Sequence, residues 1–176
     1  MLLFTERCGD APAGDTTTLA GVVSLPFDLR QRSRLRVEPT GGRLAGSVVG
    51  FDLPRGTVLR DGDRVRCASG KVLRVDAAPE SLVHIVAASA PALARMAYHL
   101  GNRHVPVEVG DGWLRLQADP VLEAMVLGLG ARPTPVVAPF EPEAGAYGHA
   151  GHGHSHGADG RHAPHIHDLL ADRESR

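Results

Sequence analysis

Histidine is the residue type best able to do chemistry in this 176-residue chain, and seven of its ten histidines lie near the C-terminus. The segment reads HAGHGHSHGADGRHAPHIH and contains neither cysteine nor lysine. Neutral imidazole suits nickel, copper and zinc, whereas calcium and magnesium prefer oxygen ligands. The segment is therefore predicted to bind late divalent metals through His149, His152, His154, His156, His162, His165 and His167.

Glycines are spread among these histidines, and the segment has no apolar face. Ordering such a segment costs backbone entropy that no burial offsets, so residues 147–176 are predicted to form a disordered, multi-site tail. Three other interpretations stay open. They are a purification tag, although tags are normally unbroken histidine blocks; a low-complexity tail without a metal role; and a structural zinc site, although such sites want four fixed ligands.

The bulk composition excludes several classes of protein. A formal net charge of −1 gives no general field for nucleic acid, and one tryptophan among few aromatic residues gives no stacking platform. There is no apolar run of about 18 residues and no signal peptide, so a cytoplasmic protein without a membrane partner is expected. Cys8 and Cys67 are far apart and are expected to be reduced bystanders.

Residues 1–77 contain short β-prone runs broken by glycine, proline and aspartate, which is typical of a small antiparallel β domain. Tight hairpin turns are predicted at Asp61-Gly62 and at Ser69-Gly70. Arg30, Arg32, Arg34 and Arg36 recur with a period of two, so in a strand they would share one basic face. That face is either a solvated edge that discourages aggregation or a docking surface for an acidic protein.

Residues 78–146 follow a different pattern, with the order β-α-β-β-α-β of a ferredoxin-like domain. The first helix is predicted in the stretch from Ala90 to Arg103, with Ser89 as its N-cap and Gly101 ending it. The second begins at Pro120 with Asp119 as its cap. The overall fold class is therefore α+β: a β domain, a ferredoxin-like domain and a disordered tail.

Three histidines lie inside these two domains. His104 is predicted in an exposed turn after the first helix, where a two-fold dimer would bring together two copies. Taken alone, it is also compatible with an ordinary surface histidine. His99 ends the helix and is at most a secondary ligand, while His84 shares a strand face with Leu82 and Val86 and is expected to serve packing.

Three stretches, in order, make the chain similar to one family. They are LPRGTVLRDGDRV with VDAAPE, then AYHLGNRHVPVEV, and finally PFEPEAGAYGHAGHGHSHG. On these motifs the chain resembles the UreE family of urease accessory metallochaperones. The resemblance implies an N-terminal domain for protein contacts and a homodimer in which the two copies of His104 bind one Ni(II). It also implies a tail that adds nickel capacity, and delivery through the urease accessory GTPase to the urease apoenzyme.

The chain departs from part of the family pattern. Some members carry extra histidines where this sequence has 116–120, LQADP, so the peripheral sites of those members are not expected here. The leading hypothesis is a nickel metallochaperone that is not an enzyme, with zinc and copper as further metals its ligands allow. The alternative is a passive nickel store or metal buffer. A metal-dependent hydrolase is disfavoured because the sequence has neither HExxH nor paired carboxylates beside histidines.

Overall fold

The computed structural model describes residues 1–9 and 18–144, so the seven tail histidines and the predicted disorder of residues 147–176 lie outside the described residues. Residues 1–143 form one compact unit. It contains the elements β1 Leu3–Gly9, β2 Gly21–Leu25, α1 Phe27–Arg30, β3 Arg34–Val37, β4 Val49–Asp52, β5 Arg64–Cys67, β6 Val72–Ala77, β7 Pro79–Val86, α2 Ala90–Gly101, β8 Glu108–Gly110, β9 Trp113–Gln117, α3 Pro120–Gly128 and β10 Arg132–Pro139. The mixed α+β class is confirmed.

The first six strands form one sheet in the order β2-β6-β5-β1-β4-β3. Two of its pairs, β1 with β4 and β2 with β6, are parallel, and the others are antiparallel. The prediction of a purely antiparallel domain was therefore wrong. Its apolar core includes Phe4, Val23, Phe51 and Leu73, none of them more than 2% exposed.

Only one of the two predicted hairpins forms. Ser69-Gly70 closes the antiparallel pair β5 and β6, with Gly70 at φ +76°. Asp61-Gly62 is a turn with Gly62 at φ +83°, but the strands on either side of it, β4 and β5, both pair with β1 instead of each other. The local turn chemistry was interpreted correctly, and the strand pairing was not.

The other four strands form a second sheet in the order β10-β7-β9-β8, with every neighbouring pair antiparallel. Helices α2 and α3 pack on one face, where Ile85, Met96, Leu100, Leu116 and Val126 make a separate core. Within the described part of the chain, no helix is both long and apolar enough to cross a membrane.

Both helices of this half begin as the sequence predicts. Ser89 accepts a hydrogen bond from the backbone N–H of Ala92 at 3.4 Å, and Asp119 accepts from Val121 and Leu122 at 2.7 and 3.1 Å. These side chains satisfy donors that the first helical turn leaves without a partner.

The prediction that four arginines between residues 30 and 36 share one basic strand face is partly wrong. Arg30 ends the short helix α1 and is fully buried, whereas Arg32, Arg34 and Arg36 are exposed on or beside β3. The Arg30 guanidinium donates to the carbonyls of Leu25 and Leu59 at 3.1 and 3.2 Å. It also bonds the carbonyl of Phe140 and pairs with the Glu141 carboxylate. The residue predicted to be part of a basic surface instead ties residues 140 and 141 to the first sheet.

Candidate metal site at the end of the second helix

His104 lies in the turn that ends α2, and its side chain is exposed. Its backbone N–H donates to the carbonyl of Gly101 at 3.0 Å. Its φ is +54°, and it is the only non-glycine residue with positive φ in the described ranges. The left-handed conformation costs an ordinary L-residue roughly 1 kcal/mol, although histidine tolerates it better than most. An imidazole is thus held, at some conformational cost, where glycine would fit without strain.

The neighbouring residues explain why the chain turns here. Helix α2 is anchored by Met96 and Leu100, which are at most 1% exposed. After Gly101 no further buried side chain holds the helix, and a left-handed residue is a common way to end one. Pro106 then restricts Val105 to extended backbone, so the chain leaves in the direction of β8. The sequence therefore presents His104 at the tip of a bend between two anchored elements.

The positive φ leads to a stability prediction. His104→Gly is expected to be at least as stable as the parent, because glycine adopts this conformation freely, whereas His104→Ala should be less stable than His104→Gly by about 1 kcal/mol. Urea denaturation of the metal-free proteins measures both differences. An alanine variant as stable as the glycine variant would mean that residue 104 does not hold the left-handed conformation in solution.

His99 lies in the last turn of α2, half-buried, with its ring 5.5 Å from that of Tyr98 in an edge-to-face arrangement. Tyr98 itself is 66% exposed, which is unusual for a large side chain beside a candidate site. Val121 and Leu127 of α3 are also exposed, at 69% and 57%. The two helices therefore carry apolar side chains that nothing among the described residues covers.

His84 lies on the opposite face of the second sheet, away from the helices. Its ring is 5.3 Å from that of Trp113, and its Nδ1 accepts a hydrogen bond from Nε of Arg115 at 3.2 Å. Glu108 is next to this group, and its Oε2 lies 3.9 Å from Arg115. That oxygen has no hydrogen-bond partner among the described residues. Burial raises the pKa of Glu108 above its usual value, while Arg115 and a backbone N–H of Glu141 act against that rise. These contacts favour the packing role predicted for His84.

The described residues do not assemble a complete metal site. Among residues 1–9 and 18–144, no three histidine, cysteine, aspartate or glutamate side chains lie close enough together to hold an ion. Cys8 and Cys67 are both free, and Cys67 contacts Ser69 at 3.1 Å. His104 is thus an exposed imidazole whose further ligands would have to come from elsewhere.

Sequence reasoning missed the segment that follows β10. Glu141 accepts from the backbone N–H of Asp61 at 3.3 Å, and Arg60 donates to the carbonyl of Pro142 at 2.6 Å. The N–H of Glu143 then donates to the carbonyl of Val107 at 2.8 Å. Residues 141–143 are therefore held against both halves of the unit and reach Val107, three residues after His104. The only sequence signal was the PFEPE run, which has no local secondary-structure pattern.

Comparison with known proteins identifies the class of protein. Residues 4–78 match the model of the UreE urease accessory protein N-terminal domain, and residues 80–168 match that of its C-terminal domain. The chain therefore belongs to the UreE family of urease accessory proteins, which are accessory chaperones and not enzymes.

Individual relatives agree with this assignment. The chain is 46% identical over 172 residues to the urease accessory protein UreE of Azotobacter vinelandii, covering 96% of this chain and 98% of that protein. It is 48% identical over 172 residues to UreE of Pseudomonas fluorescens, with the same coverage. It is 53% identical over 160 residues to UreE of Ralstonia nicotianae, covering 89% of this chain and 74% of that protein.

Proposed function

We propose that this chain is a nickel metallochaperone of urease maturation, which binds Ni(II) and delivers it through the urease accessory GTPase to the urease apoenzyme. The observation that carries the proposal is the match of both UreE domain models over nearly the whole chain. The ligand chemistry supports it, because imidazole is a good donor for Ni(II) and for the zinc and copper that the same sites would accept. The proposed location is the cytoplasm.

The proposed principal site is formed by His104 from both protomers of a homodimer. One exposed imidazole is a poor site, but a two-fold axis through the turn would supply a second. The exposed Tyr98, six residues earlier in the chain, supports an interface nearby, since apolar side chains on a surface often mark association sites. His99 is proposed as a secondary ligand, and the seven tail histidines as further capacity.

We propose three functional parts. Residues 1–77 make protein contacts, residues 78–146 form a ferredoxin-like metal-binding domain, and residues 147–176 are the histidine-rich tail. The strand order β10-β7-β9-β8, with two helices on one face, supports the ferredoxin-like description. Ligands from two chains and a tail leave coordination positions open, so that an acceptor protein can displace one donor at a time.

Two variants distinguish delivery from storage. A chain ending at Tyr147 should bind fewer nickel ions but still activate urease apoenzyme at limiting nickel in the presence of the GTPase. His104→Gly should keep most of the capacity of the full chain but activate urease poorly, because the folded site is lost. Calorimetric titration measures capacity and ammonia release measures activation. If the chain were a passive store, urease activation would follow the number of tail histidines. The truncated chain would then activate urease poorly and His104→Gly would activate it well, and neither would require the GTPase.

A further inference from the structure

The free edges of the two sheets differ in how they are protected. The backbone groups of β10 that face outward can be identified from the pairing of β7. The N–H of Ala118 donates to the carbonyl of Ser81, so the backbone N–H and C=O groups of the odd-numbered residues of β7 point to β9. The backbone groups of the even-numbered residues of β7 and β10 therefore bond each other. The backbone groups of the odd-numbered residues of β10 face outward, away from the sheet. Three of these are Pro133, Pro135 and Pro139, which have no N–H to donate. This edge is blocked against strand addition.

Two other edges are contacted by the chain itself. Beside the three-residue strand β8, Glu143 donates to the carbonyl of Val107 at 2.8 Å, and Val107 immediately precedes the strand. Along β2, Thr40 donates to the carbonyl of Val22 at 2.8 Å, and the following residues continue the contact. Natural sheets commonly cover or blunt their edges in these ways, because an exposed edge is a template for pairing with another chain.

The fourth edge, β3, contains no proline, and no segment among the described residues covers it. Leu53 donates to the carbonyl of Ser33 at 2.7 Å, and the N–H of Gly50 donates to the chain just before β1, not to β3. The alternation of an antiparallel pair therefore directs the backbone N–H and C=O of Arg34 and Arg36 away from β4. No other described segment bonds these groups. The sheet order also leaves β3 at the end of its sheet.

The surface beside this edge is basic around an apolar depression. Arg34 and Arg36 point to the same side of the strand, and Arg32 is exposed just before it. Arg34 pairs with Asp52 at 2.8 Å, whereas Arg36 has no ion pair among the described residues. A depression of about 320 Å³ lies between these arginines and the apolar side chains of the first strand. Besides the two arginines, it is lined by Met1, Leu3, Leu35, Gly50, Phe51 and Asp52.

We infer that β3 is a docking edge for an extended acidic segment of a partner protein, which adds to the first sheet as a seventh strand. Side chains on one face of a strand recur every second residue, so carboxylates at alternate positions would meet Arg34 and Arg36. Backbone bonds to the open edge supply affinity, and the opposed charges supply specificity. A second copy of β3 is a poor occupant, because it would place arginines against arginines. This docking role rests on the protein contacts proposed for residues 1–77 and not on nickel binding, so its failure would leave the proposed nickel delivery untouched.

The test uses the metal-free full chain and a blocked, fluorescently labelled hexapeptide of alternating glutamate and valine. Fluorescence anisotropy should detect binding that weakens about ten-fold in the double variant Arg34→Glu/Arg36→Glu, since each reversal replaces attraction by repulsion. The matched control is Arg66→Glu/Arg74→Glu, which changes net charge equally on the interior strands β5 and β6. The control should leave the affinity nearly unchanged.

A second probe separates strand addition from simple charge attraction. The same peptide with an N-methyl group on every residue keeps its charge but has no backbone N–H to donate to β3 in either strand direction, and it should not bind measurably. Equal binding of the methylated peptide would overturn the inference, as would equal weakening by the control variant. Absence of binding by the unmodified peptide would also overturn it, and the arginines would then serve only to discourage pairing of β3 with another chain. A change of oligomeric state in the Arg34/Arg36 variant would identify a second copy as the occupant and overturn it too.

Discussion

An Arg30→Ala variant is expected to lose about 3–5 kcal/mol of its free energy of unfolding, because it removes a buried guanidinium from a partly buried ion pair and leaves acceptors without donors. The guanidinium is fully buried and is 5.4 Å from the ring centroid of Phe27. Its removal leaves the carbonyls of Leu59 and Phe140 without their donor, whereas the carbonyl of Leu25 keeps the N–H of Ala78 at 3.0 Å. Glu141 keeps Arg60 at 3.5 Å. A well-packed apolar replacement cannot compensate, since these acceptors would remain.

Urea denaturation of the metal-free chain measures this loss, and Arg34→Ala is the matched control. Arg34 was predicted to lie on the same face as Arg30, but its side chain is 82% exposed and its ion pair with Asp52 is open to water. Its removal should change stability far less. If Arg30→Ala does not fold, Arg30→Lys should fold with a smaller loss, because it keeps the charge but not all the hydrogen bonds. Similar losses at residues 30 and 34 would contradict the burial of Arg30.

The Arg30 error has a physical cause. A period of two indicates a shared strand face only if all the residues belong to one strand, and here α1 ends at Arg30 before β3 begins at Arg34. The partner that makes burial of Arg30 possible, Glu141, is 111 residues away in sequence. No local pattern contains that information. The same reason explains the parallel pairs of the first sheet, which join strands separated by long stretches of chain.

The second sheet was easier to predict because its signals are local. Ser89 and the Asp119-Pro120 pair each mark a helix start within one turn, and hydrophobic spacing then identifies the buried side of the helix. Gly101 was predicted to end α2, and the helix ends there, although the predicted range to Arg103 also included two residues of the turns that follow. Boundary errors of this size are normal where a helix unwinds gradually.

The candidate site was predicted only in part. Amino-acid type and position placed His104 in an exposed turn, and the structure places it there. Its left-handed backbone was not predicted, since this conformation is usually assigned to glycine or asparagine. The second imidazole of the proposed shared site belongs to a partner chain, which no pattern within one sequence describes.

Removing the imidazole of residue 104 is expected to abolish the tightest nickel site. His104→Gly is the appropriate variant, because it removes the ligand from both protomers of the proposed dimer without straining the turn. The loss should exceed the roughly 10- to 100-fold reduction that follows removal of an outer-shell partner of a metal ligand. Calorimetric titration at neutral pH measures it. The control is His84→Gln, which removes an imidazole from the helix-free face of the sheet and keeps an acceptor for Arg115.

The pH dependence of nickel binding tests the type of ligand independently of the variants. A proton competes with the metal for each imidazole, so nickel affinity should fall steeply between about pH 7.5 and about pH 5.5. A site made from two or more imidazoles should fall faster than a site with one, because each ligand must be free of its proton. Carboxylate ligands would remain ionised to about pH 4 and would hold the metal over this range. Most of the nickel should therefore leave the parent chain by about pH 5.5, and its retention there at micromolar protein would exclude an imidazole site at His104.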